Sequence, residues 1–149
     1  NDAIDLSLLI SDNFNLDTVT LPMEMYARAD LLRMQRKFNE ARTTLDSIAT
    51  EFPGHALEDE MLMMSADMFL EQDLLDTAMI LYREVVDLHF DDITGDDALW
   101  MLADLSHNRL GDLTAAQKLY EKLLFEFPGS LNAVEARKRF RALRGDEIE

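Results

Sequence analysis

The chain has 149 residues, 48% of them hydrophobic, and this length suits one domain with a substantial core. Its 30 Asp and Glu against 14 Lys and Arg give a formal net charge of -16, which repels phosphate backbones and argues against a nucleic acid partner. Cysteine is absent, so disulfides, thiolate metal sites and a cysteine nucleophile are excluded, while the compartment stays open.

The first segment, residues 1–14, carries Ile4, Leu8, Leu9 and Ile10 and predicts an amphipathic helix. Because the chain begins at Asn1 without an initiator Met, we expect it to be part of a longer protein. On that interpretation residues 1–14 are the second helix of a preceding repeat whose first helix is absent. Its uncovered apolar side makes this segment a candidate homodimer contact.

Three helical hairpins are predicted next, as repeats at 22–53, 56–90 and 96–128. In each, the second helix opens with an apolar residue, two polar or small residues and an alanine, and these alanines are spaced by 37 and 38 residues. Apolar residues then recur four and seven positions later, as one face of an amphipathic helix requires. The residues of this pattern are Ala41, Leu45 and Ile48; Ala78, Tyr82 and Val85; Ala116, Tyr120 and Leu123.

Alanine at these positions is expected to let the two helices of a hairpin approach closely, so a large residue at Ala78 should overpack its repeat. A methionine stripe in the second hairpin, Met61, Met64 and Met68, is expected in the core, with Met63 on another side of the helix. The second helices of the first and third repeats should end at the Phe-Pro-Gly sequences 52–54 and 127–129.

A last helix is predicted at 130–144, with Ser130 as its N-cap and Gly145 as its end, followed by a tail at 145–149. Charge is uneven along the chain. Sixteen acidic residues and one basic residue, Arg83, lie between Thr43 and Asn108. The last helix instead carries five basic residues, so a negative middle and a positive end are expected.

No enzyme motif is present, and we predict a non-catalytic protein without cofactor or metal. The histidines at 55, 89 and 107 are scattered, with no pair at one-turn spacing to hold a metal. The acidic segment 91–97 could suit calcium, but it lacks the ligand spacing of an EF-hand. The alternative is that Asp96 or Asp97 caps the next helix.

These hairpins resemble tetratricopeptide repeats. The third carries the resemblance best, through Trp100, Gly111, Ala116, Tyr120 and Pro128. The resemblance implies an all-α fold, a right-handed α-solenoid of helical hairpins with a C-terminal capping helix, and places Trp100 in the core between the two helices. The chain departs from the family where a Leu-Gly pair is usual in the first helix, since the pairs there are Arg28-Ala29, Ser65-Ala66 and Ala103-Asp104.

The Phe-Pro-Gly closures and the Ala-Arg-rich last helix also resemble repeats of bacterial cell-envelope proteins, of the outer-membrane assembly lipoprotein and Tol-Pal periplasmic factor types. This resemblance favours a cell-envelope or periplasmic location, with the cytoplasm as the alternative.

The resemblance further implies a concave groove, lined by the first helix of each hairpin, that binds a partner protein or peptide. Asp30 and Asp67 stand where members that clamp a terminal carboxylate have amides, so an acidic tail would be repelled and a basic partner is favoured. Self-assembly through the repeats, or a supporting role in a larger protein, are the alternatives. The predicted groove residues are Tyr26, Asp30, Arg33, Met34, Met63, Asp67, Leu70, Met101, Leu105, Asn108 and Arg109.

Overall fold

The computed structural model describes residues 20–88 and 94–146, and every described element is helical. The predictions for residues 1–14 and for the calcium loop at 91–93 lie outside the described residues. The helices are α1 (20–34), α2 (Phe38–Glu51), α3 (Glu58–Glu71), α4 (Leu75–Leu88), α5 (Thr94–Asn108), α6 (Leu113–Glu126) and α7 (Ala133–Arg144). The predicted all-α helical repeat fold is therefore confirmed.

The chain divides into two compact units after Met61, within α3. In the first unit, Ala29 of α1 and Ala41, Leu45 and Ile48 of α2 are buried. The two helices also share an open cleft of about 470 Å³, whose walls include Met25 of α1.

The second unit contains the larger core. Helix α4 packs on α5, α5 on α6 and α6 on α7. The predicted small residues Ala78 and Ala116 are fully buried here, which confirms that they lie at close helix contacts. Met64 and Met68 are buried as predicted, whereas Met61 is only partly buried.

The turns inside the first two hairpins share one hydrogen-bonded geometry. The amide of Lys37 donates to the carbonyl of Leu32 at 2.8 Å, and that of Leu74 donates to Phe69 at 2.9 Å. This bond between residues five apart closes a Schellman motif, which needs a left-handed residue just before the donor. Arg36 (φ 60) and Asp73 (φ 58) take that conformation.

The third turn, between α5 and α6, is one residue longer and differs accordingly. The left-handed residue there is Gly111 (φ 65), and the next residue, Asp112, caps α6 by accepting a hydrogen bond from the amide of Ala115 at 3.0 Å. The insertion explains why the alanines of the second helices are spaced by 37 residues and then by 38.

We expect Gly111→Ala to lower the free energy of unfolding by about 1 kcal/mol, because alanine resists a positive φ. A Cβ at Gly111 would meet no atom within 4 Å, so only the backbone contributes to this effect. Gly129→Ala is the matched control, since Gly129 has equal space without a positive φ. Urea unfolding of both variants measures the difference, and equal stabilities would contradict the explanation.

The Phe-Pro-Gly sequences end α2 and α6 as predicted, and in the same way. Phe52 (φ -129, ψ 60) and Phe127 (φ -127, ψ 59) have nearly identical backbones, and each amide donates to the carbonyl four residues earlier. The following proline disfavours the helical conformation at each phenylalanine, which accounts for the shared stop.

Two end-of-helix predictions were wrong and one is confirmed. Helix α7 begins at Ala133, because Ser130 lies in a turn where its hydroxyl accepts from the amide of Asn132 at 3.0 Å, so Ser130 is not the N-cap. Asp96 and Asp97 lie within the first turn of α5 and do not cap it. Gly145 (φ 86) ends α7 in the left-handed conformation, as predicted.

Candidate protein-binding face

Three buried alanines show which positions of the first helices α1, α3 and α5 are equivalent. Ala29, Ala66 and Ala103 are all fully buried and follow one another at intervals of 37 residues. The same interval relates Asp30, Asp67 and Asp104, which directly follow them. Each first helix therefore carries an aspartate beside its buried alanine.

This spacing corrects the predicted groove in the third hairpin. The prediction carried the 38-residue interval of the second helices onto α5 and so selected Met101, Leu105 and Asn108. The extra residue lies after α5, in the turn before α6, and cannot shift positions on α5 itself. The residues equivalent to Met63, Asp67 and Leu70 are Trp100, Asp104 and His107.

Leu105 is the clearest error among the predicted groove residues. It is 3% exposed and belongs to the core of the second unit, because it lies on the same side of α5 as Leu102 and Ala98. Met101 is partly buried at the edge of this core, and Asn108 is exposed. Arg109, also exposed, lies with Nη2 3.3 Å from a carboxylate oxygen of Asp73.

On α3, Asp67 is held by a tyrosine of the same hairpin. The Tyr82 hydroxyl donates to Oδ1 of Asp67 at 2.6 Å, although the tyrosine itself is fully buried. Met63 and Leu70, one turn away on either side, are partly buried against the core. Asp67 is thus fixed at the boundary between core and surface, with part of its carboxylate accessible.

On α5, Asp104 has a different partner, an arginine from the last helix. Nη1 of Arg139 donates to Oδ1 of Asp104 and, at 3.1 Å, to the hydroxyl of the fully buried Tyr120. Nε of Arg139 donates to Glu135 at 3.0 Å. The same hydroxyl of Tyr120 lies 3.2 Å from Nδ1 of His107.

Trp100 completes this cluster. Its ring lies 5.8 Å from that of Tyr120, and the Arg139 guanidinium lies 4.8 Å from the centre of the indole. Trp100 packs against the core and contacts Tyr120 of the other helix of its hairpin, as predicted, but it is only partly buried and is also covered by Arg139 of α7. A guanidinium on an indole face is a cation–π contact.

Burial and hydrogen bonding act in opposite directions on the charge of Arg139. Burial disfavours the charged form of Arg139, but hydrogen bonds with Tyr120, Asp104 and Glu135 outweigh it and raise the pKa of Arg139. Burial also raises the pKa of Tyr120, against the effect of Arg139, so its hydroxyl stays protonated at neutral pH. With two carboxylates to one guanidinium, the cluster retains negative charge.

The solvent side of α5 brings the accessible groups together. Asp97, Met101, Asp104 and Asn108 follow one another at intervals of three or four residues and lie opposite the buried side of the helix. The Asn108 amide donates to Oδ1 of Asp104 at 2.7 Å. We call these four residues, together with Asp67 of α3, the acidic face.

Negative charge accumulates at the Asp97 end of this face. Burial is the main cause that raises the pKa of Asp97, and the neighbouring charges of Asp96 and Asp67 raise it further. A hydrogen bond from Asn132, at 2.9 Å, acts in the opposite direction. A cation placed here would relieve repulsion between these carboxylates.

The predicted groove residues of the first hairpin lie in the other unit. Tyr26, Asp30 and Arg33 are partly buried, and Nε of Arg33 lies 3.4 Å from Oδ1 of Asp30. Met34 is 70% exposed. The position equivalent to Tyr82 and Tyr120 is Leu45, so α2 has no tyrosine at the place from which α4 and α6 present theirs.

Sequence reasoning missed Asp104 of the acidic face and the cluster beside it, formed by Trp100, His107 and Arg139 around Tyr120. The repeated Ala-Asp pair at 29–30, 66–67 and 103–104 was a sufficient signal for the first three. Arg139 had no such signal, because its role depends on how α7 folds back on α5.

Other kinds of site are not seen among residues 20–88 and 94–146. No group of three or more histidines and carboxylates there could hold a metal ion. Within the same residues, none of the helices has the length and apolar character needed to cross a bilayer.

The hairpin geometry agrees with a comparison to known families. Residues 25–55 and 97–130, which cover most of the first and third hairpins, match the tetratricopeptide repeat family. The first and third hairpins are thus similar to tetratricopeptide repeats. No curated protein sequence is significantly similar to it. Tetratricopeptide repeats generally mediate protein–protein interaction and are typically non-catalytic. The acidic face lies on the first helices of the second hairpin and of the matched third hairpin.

Proposed function

We propose that this chain is a non-catalytic scaffold that binds a basic segment of a partner protein on the acidic face. The observation that carries the proposal is the solvent side of α5. There the partly buried Met101 lies between Asp97 and Asp104, and Asn108 follows one turn after Asp104. The family match supports the class of function, and the face supplies the chemistry of recognition.

The side chains of this face suit a peptide with alternating basic and apolar residues. Asp97 and Asp104 can accept hydrogen bonds from lysine or arginine, which strengthens recognition through charge. Met101 offers an adaptable apolar contact, as methionine does on many binding surfaces. Asn108 can pair with a peptide backbone or a polar side chain.

A basic partner is supported because few cations of the chain itself neutralise the carboxylates of the acidic face. Arg139 is already engaged by Asp104 and Glu135, and the pKa of Asp97 is raised partly by neighbouring carboxylates. A lysine or arginine from the partner would therefore be attracted by the negative charge of the acidic face, and it need not displace an internal ion pair. Opposite charge on the two surfaces also speeds association at low salt.

The experiment uses a displayed library of random peptides selected on the immobilised chain. We expect the selected peptides to be rich in Lys and Arg, and calorimetric titration should give their affinities. Asp97→Lys should weaken binding by about tenfold or more, equivalent to about 1.4 kcal/mol. Raising the salt to about 1 M, where the screening length is about 3 Å, should weaken it as well.

Asp87→Lys is the matched control. Asp87 is another exposed aspartate, on the outer side of α4, and its reversal changes the net charge by the same amount. An equal loss for both variants would show that the peptides respond only to net charge. Selected peptides that are acidic or purely apolar would also overturn the proposal.

The Phe-Pro-Gly closures and the Arg-rich last helix further support a proposal that this scaffold works in a bacterial cell envelope. Fractionation of the source cells tests it, with recovery from the envelope or periplasm expected. Recovery from the cytosol alone would reject it.

A further inference from the structure

The corner between α6 and α7 exposes an unusual amount of apolar surface. Leu131 is 99% exposed, Phe125 81% and Val134 74%, which makes them the three most exposed large hydrophobic residues of the described chain. They lie within ten residues of one another. Clustered exposed apolar residues on a protein surface commonly mark an interaction site.

Cations extend the same surface along α7. Val134, Arg137, Lys138 and Arg141 are all exposed on α7. Val134, Lys138 and Arg141 lie on the side away from the buried Ala133 and Ala136, and Arg137 lies at the edge of that side. Arg139 and Arg144 are held by carboxylates, whereas no side-chain hydrogen bond or ion pair among the described residues involves Arg137, Lys138 or Arg141. We call Leu131, Val134, Arg137, Lys138 and Arg141 the basic face.

A complementary surface exists on α4 of the same unit. Asp76, Ile80, Glu84 and Asp87 recur at intervals of three or four residues on the side opposite the buried Ala78, Tyr82 and Val85. Ile80 is 60% exposed, and Leu88 at the end of the helix is 65% exposed. This outer α4 face combines apolar and acidic groups as the basic face combines apolar and basic ones.

The two faces also match in length and in composition. Helix α4 has 14 residues and α7 has 12, so each spans about 20 Å at a rise of about 1.5 Å per residue. Arg83 lies at the edge of the outer α4 face and weakens its negative charge only in part.

We propose that a second copy of this chain docks its basic face on the outer α4 face. The contact joins two different surfaces, so each copy keeps one of each free and association continues head to tail. A net charge of -16 opposes contact between copies at long range, but screening over about 8 Å near 0.15 M salt leaves adjacent opposite charges effective. The same net charge opposes an anionic membrane as the occupant.

The test is a charge swap followed by sedimentation of the 149-residue chain near 0.15 M salt. One variant carries Arg137→Glu, Lys138→Glu and Arg141→Glu; the other carries Asp76→Lys, Glu84→Lys and Asp87→Lys. We expect the average molar mass of the unchanged chain to rise with concentration. Each variant alone should associate at least about tenfold more weakly. An equimolar mixture of the two variants should recover association, because each reversed face then meets its complement.

Circular dichroism checks that the exposed substitutions leave the helices intact. A chain that stays at its monomer mass of 17.1 kDa at all concentrations would overturn the proposal. So would variants that associate as the unchanged chain does, or a mixture that fails to recover. Peptide binding at the acidic face is measured separately and does not depend on this contact, because α4 contributes none of that face.

Discussion

Replacing Tyr120 with alanine should lower the free energy of unfolding by about 3–5 kcal/mol, as truncation of a buried aromatic residue does. Tyr120 is fully buried on α6, where its ring contacts Trp100 and His107 and its hydroxyl accepts from Arg139. The substitution opens a cavity and leaves Arg139 with its carboxylate partners alone. Urea unfolding followed by circular dichroism measures the loss.

Two further variants separate packing from hydrogen bonding. Tyr120→Phe keeps the ring and removes only the hydroxyl, so it should cost about 1–2 kcal/mol. Phe125→Ala is the control on the same helix, since Phe125 is 81% exposed, and its effect should stay within about 0.5 kcal/mol. A loss below about 1 kcal/mol for Tyr120→Ala would contradict the core as described.

Replacing Ala78 with leucine should destabilise the chain by about 1–3 kcal/mol through overpacking. Ala78 and Ala66 are both fully buried in the core of the second unit. In a close-packed core a larger side chain at Ala78 forces its neighbours to move. The unfolding midpoint in urea should fall with little change in slope.

Ala49→Leu is the matched control, because Ala49 is an exposed alanine inside α2. Leucine and alanine are both good helix formers, so this substitution should be nearly neutral. Equal effects at the two positions would show that burial of Ala78 does not decide the outcome.

The repeat could be predicted from the sequence because its signals are local and recur. The alanines of the second helices, the Phe-Pro-Gly closures and the glycine after α7 each act within one or two helical turns. Their structural outcomes, burial of Ala78 and stops at Phe52, Phe127 and Gly145, agree with the prediction.

The residues of the acidic face were predicted less well, and for a specific reason. One inserted residue in the turn before α6 changes the spacing of the second helices but not that of the first. Applying one interval to both moved the prediction from Asp104 to the buried Leu105, and a shift of one residue turns a helix position by about 100°.

Trp100 and Arg139 show a second limit of the sequence. The family resemblance placed the tryptophan between the helices of its own hairpin, and it gave no sign that the indole also contacts the guanidinium of a residue 39 positions later. Such a contact depends on the return of α7 onto α5, and no local pattern encodes it.

The most direct test of the acidic face is residue-resolved nuclear magnetic resonance of the ¹⁵N-labelled chain, titrated with a basic peptide selected as described above. We predict saturable shifts at the amides of Asp97, Met101, Asp104 and Asn108 and at the indole of Trp100, the only tryptophan of the chain. Shifts confined to the outer side of α4 or to the exposed side of α6, with these signals unmoved at saturation, would contradict the proposed binding face.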